Sequence, residues 1–171
     1  MNPSANEATI LARAATSPLD RALVTAFLVN VPDFVHFKDR EGRSIAVSQS
    51  KLPTVLADRG KALQILVNLI SNAKYAAENG KQPEKTITLR IAAGETGRVR
   101  LSVKDNGEGI PSANLERIFN HGFTTKANGH GFGLNCSANA AREMKGSHTV
   151  QSDGPGTGAT FILDLPASTS V

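Results

Sequence analysis

The sequence predicts an α+β fold, a two-layer α/β sandwich with helices packed on one face of a mixed sheet. Three patterns point there. Ala62, Ile65, Leu66, Leu69, Ala73 and Ala76 fall on one stripe at helical spacing. Thr86 to Ile91 and Val99 to Val103 alternate as half-buried strands, and Ala159 to Leu165 reads as a further strand. Leu134 to Lys145 reads as a helix whose inward positions, Leu134, Ala138 and Ala141, include side chains small enough to sit close to a sheet or a ligand.

Taken in order, residues 1–17 are Ala-rich and compatible with a helix. Ser17 and Pro18 then suit the start of a second one, which Pro32 ends. Phe34 to Phe37 and Ser44 to Val47 are short strand candidates around a charged turn. This region, residues 1–51, reads as a linker, the edge of the core, or the remnant of a neighbouring module. Residues 52–166 carry the sharper signal, and Pro166 opens a tail, 167–171.

Asp58 can cap the striped helix, and Gly80 is placed to stop it. Lys61, Asn68, Asn72 and Tyr75 run along one flank of its apolar face, whereas Ser71, Lys74 and Glu78 read as a solvated side. Gly94 to Gly97 turns one strand into the next. His148 to Gln151 is a strand candidate, and Asp153 to Gly158 a turn.

Composition excludes several classes. A charge of +4, from 19 basic and 15 acidic residues, permits an anionic ligand without arguing for nucleic acid. One cysteine, Cys136, excludes an internal disulfide and reads as packing in a small-residue helix. No run reaches membrane-spanning length and no signal-peptide pattern opens the chain, so no membrane contact and a cytoplasmic location are expected. The histidines His36, His121, His130 and His148 lack zinc spacing, and no nucleophile stands with a base.

The stretch from Asp105 to Gly133 organises the rest. Asp105-Asn106-Gly107-Glu108-Gly109 follows a strand, so a carboxylate there can accept from an amino group such as that of adenine; alone, it is equally a turn with surface acids. Gly129-His130-Gly131-Phe132-Gly133 leads into a helix, where backbone N–H groups can receive phosphate oxygens; alone, it is equally a flexible loop. Lys126 is the nearest cation for a terminal phosphate. Asn68 and Asn72, four apart, share a helix face beside the apolar stripe. The Asn72 amide oxygen can bind Mg²⁺, although the pair alone is equally two surface asparagines. Phe119 and Phe123 bracket His121 and Gly122, either as anchors of a cover or as plain packing.

Together these segments resemble, over about Leu52 to Pro166, the catalytic ATP-binding domain of bacterial sensor histidine kinases, in the superfamily shared with gyrase, the Hsp90 chaperones and MutL. Gln64 to Ala73 resembles the asparagine box, Asp105 to Gly109 the first glycine box, and Ile118 to Lys126 the phenylalanine box with its Thr-Thr-Lys ending. Gly129 to Leu134 and Gly156 to Phe161 resemble the later glycine boxes.

The resemblance implies a Bergerat-type ATP-binding fold, with ATP and Mg²⁺ as cofactors. It makes Asn72 the metal ligand, Asp105 the adenine acceptor with Thr160 assisting through water, and Gly107, Gly109 and Ile110 the adenine wall. Phosphates would fall to Lys126, to Thr124 and Thr125 beside it, and to the segment Gly129, His130, Gly131, Phe132, Gly133 and Leu134. Residues from about 114 to 129, with Phe119 and Phe123, would form the lid.

Asn68, with Lys126 a catalytic candidate, stands where hydrolysing relatives place a Glu; a carboxamide is a poor base, which suits transfer to histidine. Tyr75 lies at the cofactor site where many relatives carry a charged or hydrogen-bonding group, leaving Lys126, Lys61 or His130 more of the phosphate task. The implied partners are ATP or ADP, a histidine-bearing dimerisation domain and a response regulator. No His in a dimerisation-hairpin context precedes Leu52, and residues 32–42 faintly resemble the start of a PAS module. A serine kinase or anti-sigma-type regulator, and a nucleotide-sensing domain without transfer activity, are the alternatives.

Overall fold

The computed structural model describes residues 34–38, 44–49, 55, 57–95, 97–126 and 129–167. The helices expected in residues 1–31 and most of the expected tail lie outside the described residues. In order the elements are β1 (Phe34–Lys38), β2 (Ser44–Gln49), α1 (Arg59–Asn79), β3 (Thr86–Ala93), β4 (Arg98–Asp105), α2 (Ser112–Leu115), α3 (Gly133–Glu143), β5 (Ser147–Gln151) and β6 (Thr160–Pro166).

The six strands form one sheet in the order β1-β2-β3-β4-β6-β5. β2 runs parallel to β3 and every other pairing is antiparallel, so the sheet is mixed. α1 and α3 contact each other and lie against the sheet, α1 on β3 and β4, α3 on β5 and β6. This is the two-layer arrangement expected from the apolar periodicities.

Alternation decides what faces the helices. Val99, Leu101, Val103 and Asp105 are all buried, at every second position of β4. Asp105 therefore continues an apolar series and arrives under the helix layer as a carboxylate. Ile87 pairs with Asp105, and Phe161 with Val103, so its neighbours across the sheet are apolar. From the other layer come Ile65, Leu66 and Leu69. Burying each such side chain contributes roughly 1.5–3 kcal/mol.

Asp58 caps α1 as expected, its Oδ1 accepting from the Lys61 N–H at 3.0 Å. The apolar stripe runs through Ala77, fully buried, whereas Ala76 is half-buried and faces a cleft. Gly80 does end α1, but with φ −71° and ψ 159° it is extended. Its need for glycine is contact: a Cβ there would come within 2.8 Å of the Gly107 Cα. Cys136 also differs from expectation. It is exposed, because α3 buries Ser137, Ala138 and Ala141 instead. At the other end of the chain, Ala167 bridges to Val55 and donates to the Gly97 carbonyl at 2.7 Å, so pairing continues past Pro166.

Candidate nucleotide-binding cleft

A cleft of about 520 Å³ opens between α1, the end of β4 and the segment from residue 108 to α3. α1 contributes Asn68, Asn72 and Tyr75, three of the four flank residues that the sequence singles out, together with Ser71 and Ala76; Lys61, the fourth, lies outside the lining. Ser71 is exposed, as expected, and also forms part of the wall.

Asp105 is 2% exposed. Its Oδ1 accepts from the Gly107 N–H at 2.8 Å and from the Ala159 N–H at 3.3 Å. Its Oδ2 is buried with no partner among the described residues, and the residue lines the cleft. Burial raises its pKa above the ordinary 3.8, against the two backbone donors that favour the charged form. A buried acceptor left open in this way is expensive unless a donor arrives.

The loop after Asp105 is held on α1 by glycine. A Cβ on Gly107 would sit 2.2 Å from the Ala76 backbone, and Glu108 N–H donates to the Ala76 carbonyl at 3.0 Å. Gly107 thus acts behind the cleft; Gly109 and Ile110 line it. Asn72 lies on α1 one turn, roughly 6 Å, before that contact.

Asn72 Oδ1 accepts from Lys126 Nζ at 2.7 Å. The same ammonium stands 4.5 Å from the centre of the Tyr75 ring. Burial lowers the Lys126 pKa from 10.5, and Glu108 opposes that fall. Lys61, the other cation considered, pairs instead with Glu143.

Asn68 is fixed by α3. Its Nδ2 donates to Ser137 Oγ at 3.2 Å and to the Gly133 carbonyl at 3.4 Å. A carbonyl only accepts, so the amide orientation is decided and Oδ1 is the atom left for other partners. Ser137, 1% exposed, was missed in the sequence, although its phase with Ala138 and Ala141 marks it as inward.

The covering segment closes on itself. Gly122 N–H donates to the Gly131 carbonyl at 3.1 Å. Gly131 has φ +71°, and a Cβ there would meet the Gly122 carbonyl carbon at 2.3 Å, so no other residue suits the position. Thr124, Thr125 and Lys126 line the cleft from this segment, with Gly129, His130 and Gly131. Phe132, Gly133 and Leu134 complete that wall, and Phe132 is 46% exposed. Phe123 lines the cleft too, with the Arg117 guanidinium 5.3 Å from its ring centre.

Phe119 is a packing residue outside the cleft. Its ring meets His148 edge-on at 4.9 Å, and its carbonyl accepts from Asn135 at 2.9 Å. Thr160 is also outside the lining; its neighbours Ala159 and Phe161 are in it. Asn114, where the expected lid begins, and Ile118, which opens the phenylalanine box, join the wall as well.

Residues 57–169 match the family described as histidine kinase-, DNA gyrase B- and HSP90-like ATPase. The chain belongs to this ATPase family. It is 34% identical to the sensor histidine kinase ZraS of Klebsiella oxytoca over 134 residues, 77% of this chain and 28% of ZraS. It is 41% identical to the two-component sensor PprA of Pseudomonas aeruginosa over 107 residues, 60% of this chain and 11% of PprA. The chain therefore spans well under a third of either relative's length.

Among solved structures it resembles full-length ShkA in complex with AMPPNP, with a TM-score of 0.62 and 35% identity over 74% of this chain and 26% of ShkA. It also resembles the nucleotide-free catalytic domain of histidine kinase ThkA, with a TM-score of 0.56 and 28% identity over 77% of each chain. The fold is thus that of histidine kinase ATPase domains, the Bergerat arrangement. Among the described residues no helix is long and apolar enough to cross a membrane.

The family's usual ligands suit the residues present. The orphaned Asp105 Oδ2 is an open acceptor, to which an amino group could donate. Asn72 Oδ1 already holds a cation, the Lys126 ammonium. Among the described residues no cluster of three or more His, Cys, Asp or Glu could hold a metal, so an ion at Asn72 would need oxygens from a ligand such as a polyphosphate.

Proposed function

We propose that residues 52–166 form the ATP–Mg²⁺ binding catalytic domain of a cytoplasmic sensor histidine kinase, with residues 1–51 joining it to, or left from, a neighbouring module. It would pass the γ-phosphoryl of ATP to a histidine on a separate dimerisation domain, for onward transfer to a response-regulator aspartate. The carrying observation is the open Asp105 carboxylate oxygen in the same cleft as the Asn72–Lys126 cation contact.

In this reading Asp105 Oδ2 accepts from the adenine amino group, beside a wall of Gly109 and Ile110. Lys126 and the N–H groups opening α3 hold the phosphates. Asn72 Oδ1 would hold the metal ion, and Mg²⁺ bound there would supply neutralisation of phosphate charge. Asn68 presents Oδ1 without the basicity to activate water, which favours transfer over hydrolysis. The similarity to ZraS and PprA supports this choice among phosphoryl acceptors.

The test supplies the chain with labelled ATP and a separately purified histidine hairpin from a sensor kinase. Acid-labile, base-stable phosphate on the hairpin, and none on the chain alone, is expected. Phosphoserine on a partner protein would favour a serine kinase. ATP binding without transfer to any hairpin would leave a nucleotide-sensing domain.

A further inference from the structure

Lys126 is a lid residue, yet its ammonium is seated on α1. Among the described residues it has one oxygen acceptor, Asn72 Oδ1 at 2.7 Å, and one aromatic face, Tyr75 at 4.5 Å. Among the described residues no carboxylate forms an ion pair with it. An ammonium has three donors, so this seat holds the group without satisfying it. Tyr75 lies three residues after Asn72, so both reach the same face of α1. A tyrosine ring attracts a cation most when water is kept away, as on this half-buried wall.

We propose that Tyr75 is a positioning residue for phosphate binding: its ring face and Asn72 park the Lys126 ammonium as an internal cation, which nucleotide entry draws from Asn72 Oδ1 onto phosphate oxygens. This deepens the nucleotide reading above and rests on it. The parked ammonium keeps the segment around Lys126 near α1 before nucleotide binds. It also covers the oxygen assigned to the metal, so Asn72 is released when Lys126 moves to the phosphates. The aromatic ring, which carries no charge, remains beside the phosphates to keep the cation within reach.

The test uses the full chain in two measurements. In the ligand-free protein, the ε-methylene protons of Lys126 should show an upfield ring-current shift by NMR, absent in Tyr75→Leu and kept in Tyr75→Phe. Calorimetry then compares ATP with adenosine. Tyr75→Leu should weaken ATP by up to about fivefold, the range of a partly desolvated cation–π contact, because a Lys126 no longer held in place must be ordered on binding, and leave adenosine unchanged. Tyr75→Phe should restore ATP affinity. In a Lys126→Met background, Tyr75→Leu should have no further effect.

Equal losses for ATP and adenosine, or an undiminished loss in the Lys126→Met background, would overturn the inference by making Tyr75 a plain wall residue. A chain that binds ATP but shows no ring-current shift would overturn it alone. A folded wild-type chain indifferent to ATP would remove the nucleotide reading as well.

Discussion

Gly107 N–H donates to Asp105 Oδ1 at 2.8 Å and thereby leaves Oδ2, buried and unpartnered among the described residues, as a free acceptor in the cleft. The carboxylate is anchored by one oxygen and offered by the other. Its burial comes from the strand period, and its anchoring from the glycine loop. The ligand-free protein carries the resulting penalty.

That penalty gives a pH prediction. Burial raises the folded-state pKa of Asp105 above 3.8, so between the unfolded and folded values the native state binds more protons. Stability from this group is complete below the unfolded pKa and is lost as pH rises through the folded one. Asp105→Asn should remove that fall and raise the melting temperature of the ligand-free chain at neutral pH. A lower melting temperature for the variant at neutral pH would contradict this account of the site.

His148 titrates in the opposite sense. Both ring nitrogens are buried without partners among the described residues, and burial lowers its pKa from 6.5 to about 4. The unfolded chain then binds the extra proton, so stability is present above pH 6.5 and is lost as pH falls towards 4. His148→Phe keeps an aromatic contact for Phe119 and should flatten urea-melt midpoints between those values. An unchanged acid slope would show that other groups set it.

The loop after Asp105 depends on backbone contact with α1. Gly107→Ala would drive a methyl to 2.2 Å from the Ala76 backbone, and neither chain segment can give way cheaply. A loss on the order of 3 kcal/mol is expected by urea denaturation. A loss below about 1 kcal/mol would mean that the loop lifts from the helix easily.

Asn72→Ala tests the metal assignment. Mg²⁺ should strengthen ATP binding to the wild type on the order of tenfold, and that coupling should collapse in the variant. Calorimetry with and without Mg²⁺ measures it. Equal coupling in both proteins would reject Asn72 as the ligand.

Much of this arrangement was legible in the chain. Periods of 3.6 and 2 place α1, α3 and the central strands, and β4's alternation reaches Asp105 without a break. The flank Asn68, Asn72 and Tyr75 lines the cleft as its phase implies. What the pattern of a single helix could not show depends on distant segments. Ser71 is exposed, as its phase implies, yet it also joins the wall of the cleft. Gly80 ends α1 as expected, yet it is glycine to admit Gly107, which lies far along the chain. Cys136 lies one position off the buried phase of α3, where small residues on both sides blur the stripe.

The central claim is that an adenine amino group occupies the open oxygen of Asp105. Calorimetric titration of ATP into the wild-type chain and into Asp105→Asn tests it most directly. Loss of a charge-assisted hydrogen bond, about 1.5–3 kcal/mol, predicts that the variant binds at least tenfold more weakly while staying folded. Equal ATP affinity in the two proteins would place the nucleotide elsewhere and contradict the account.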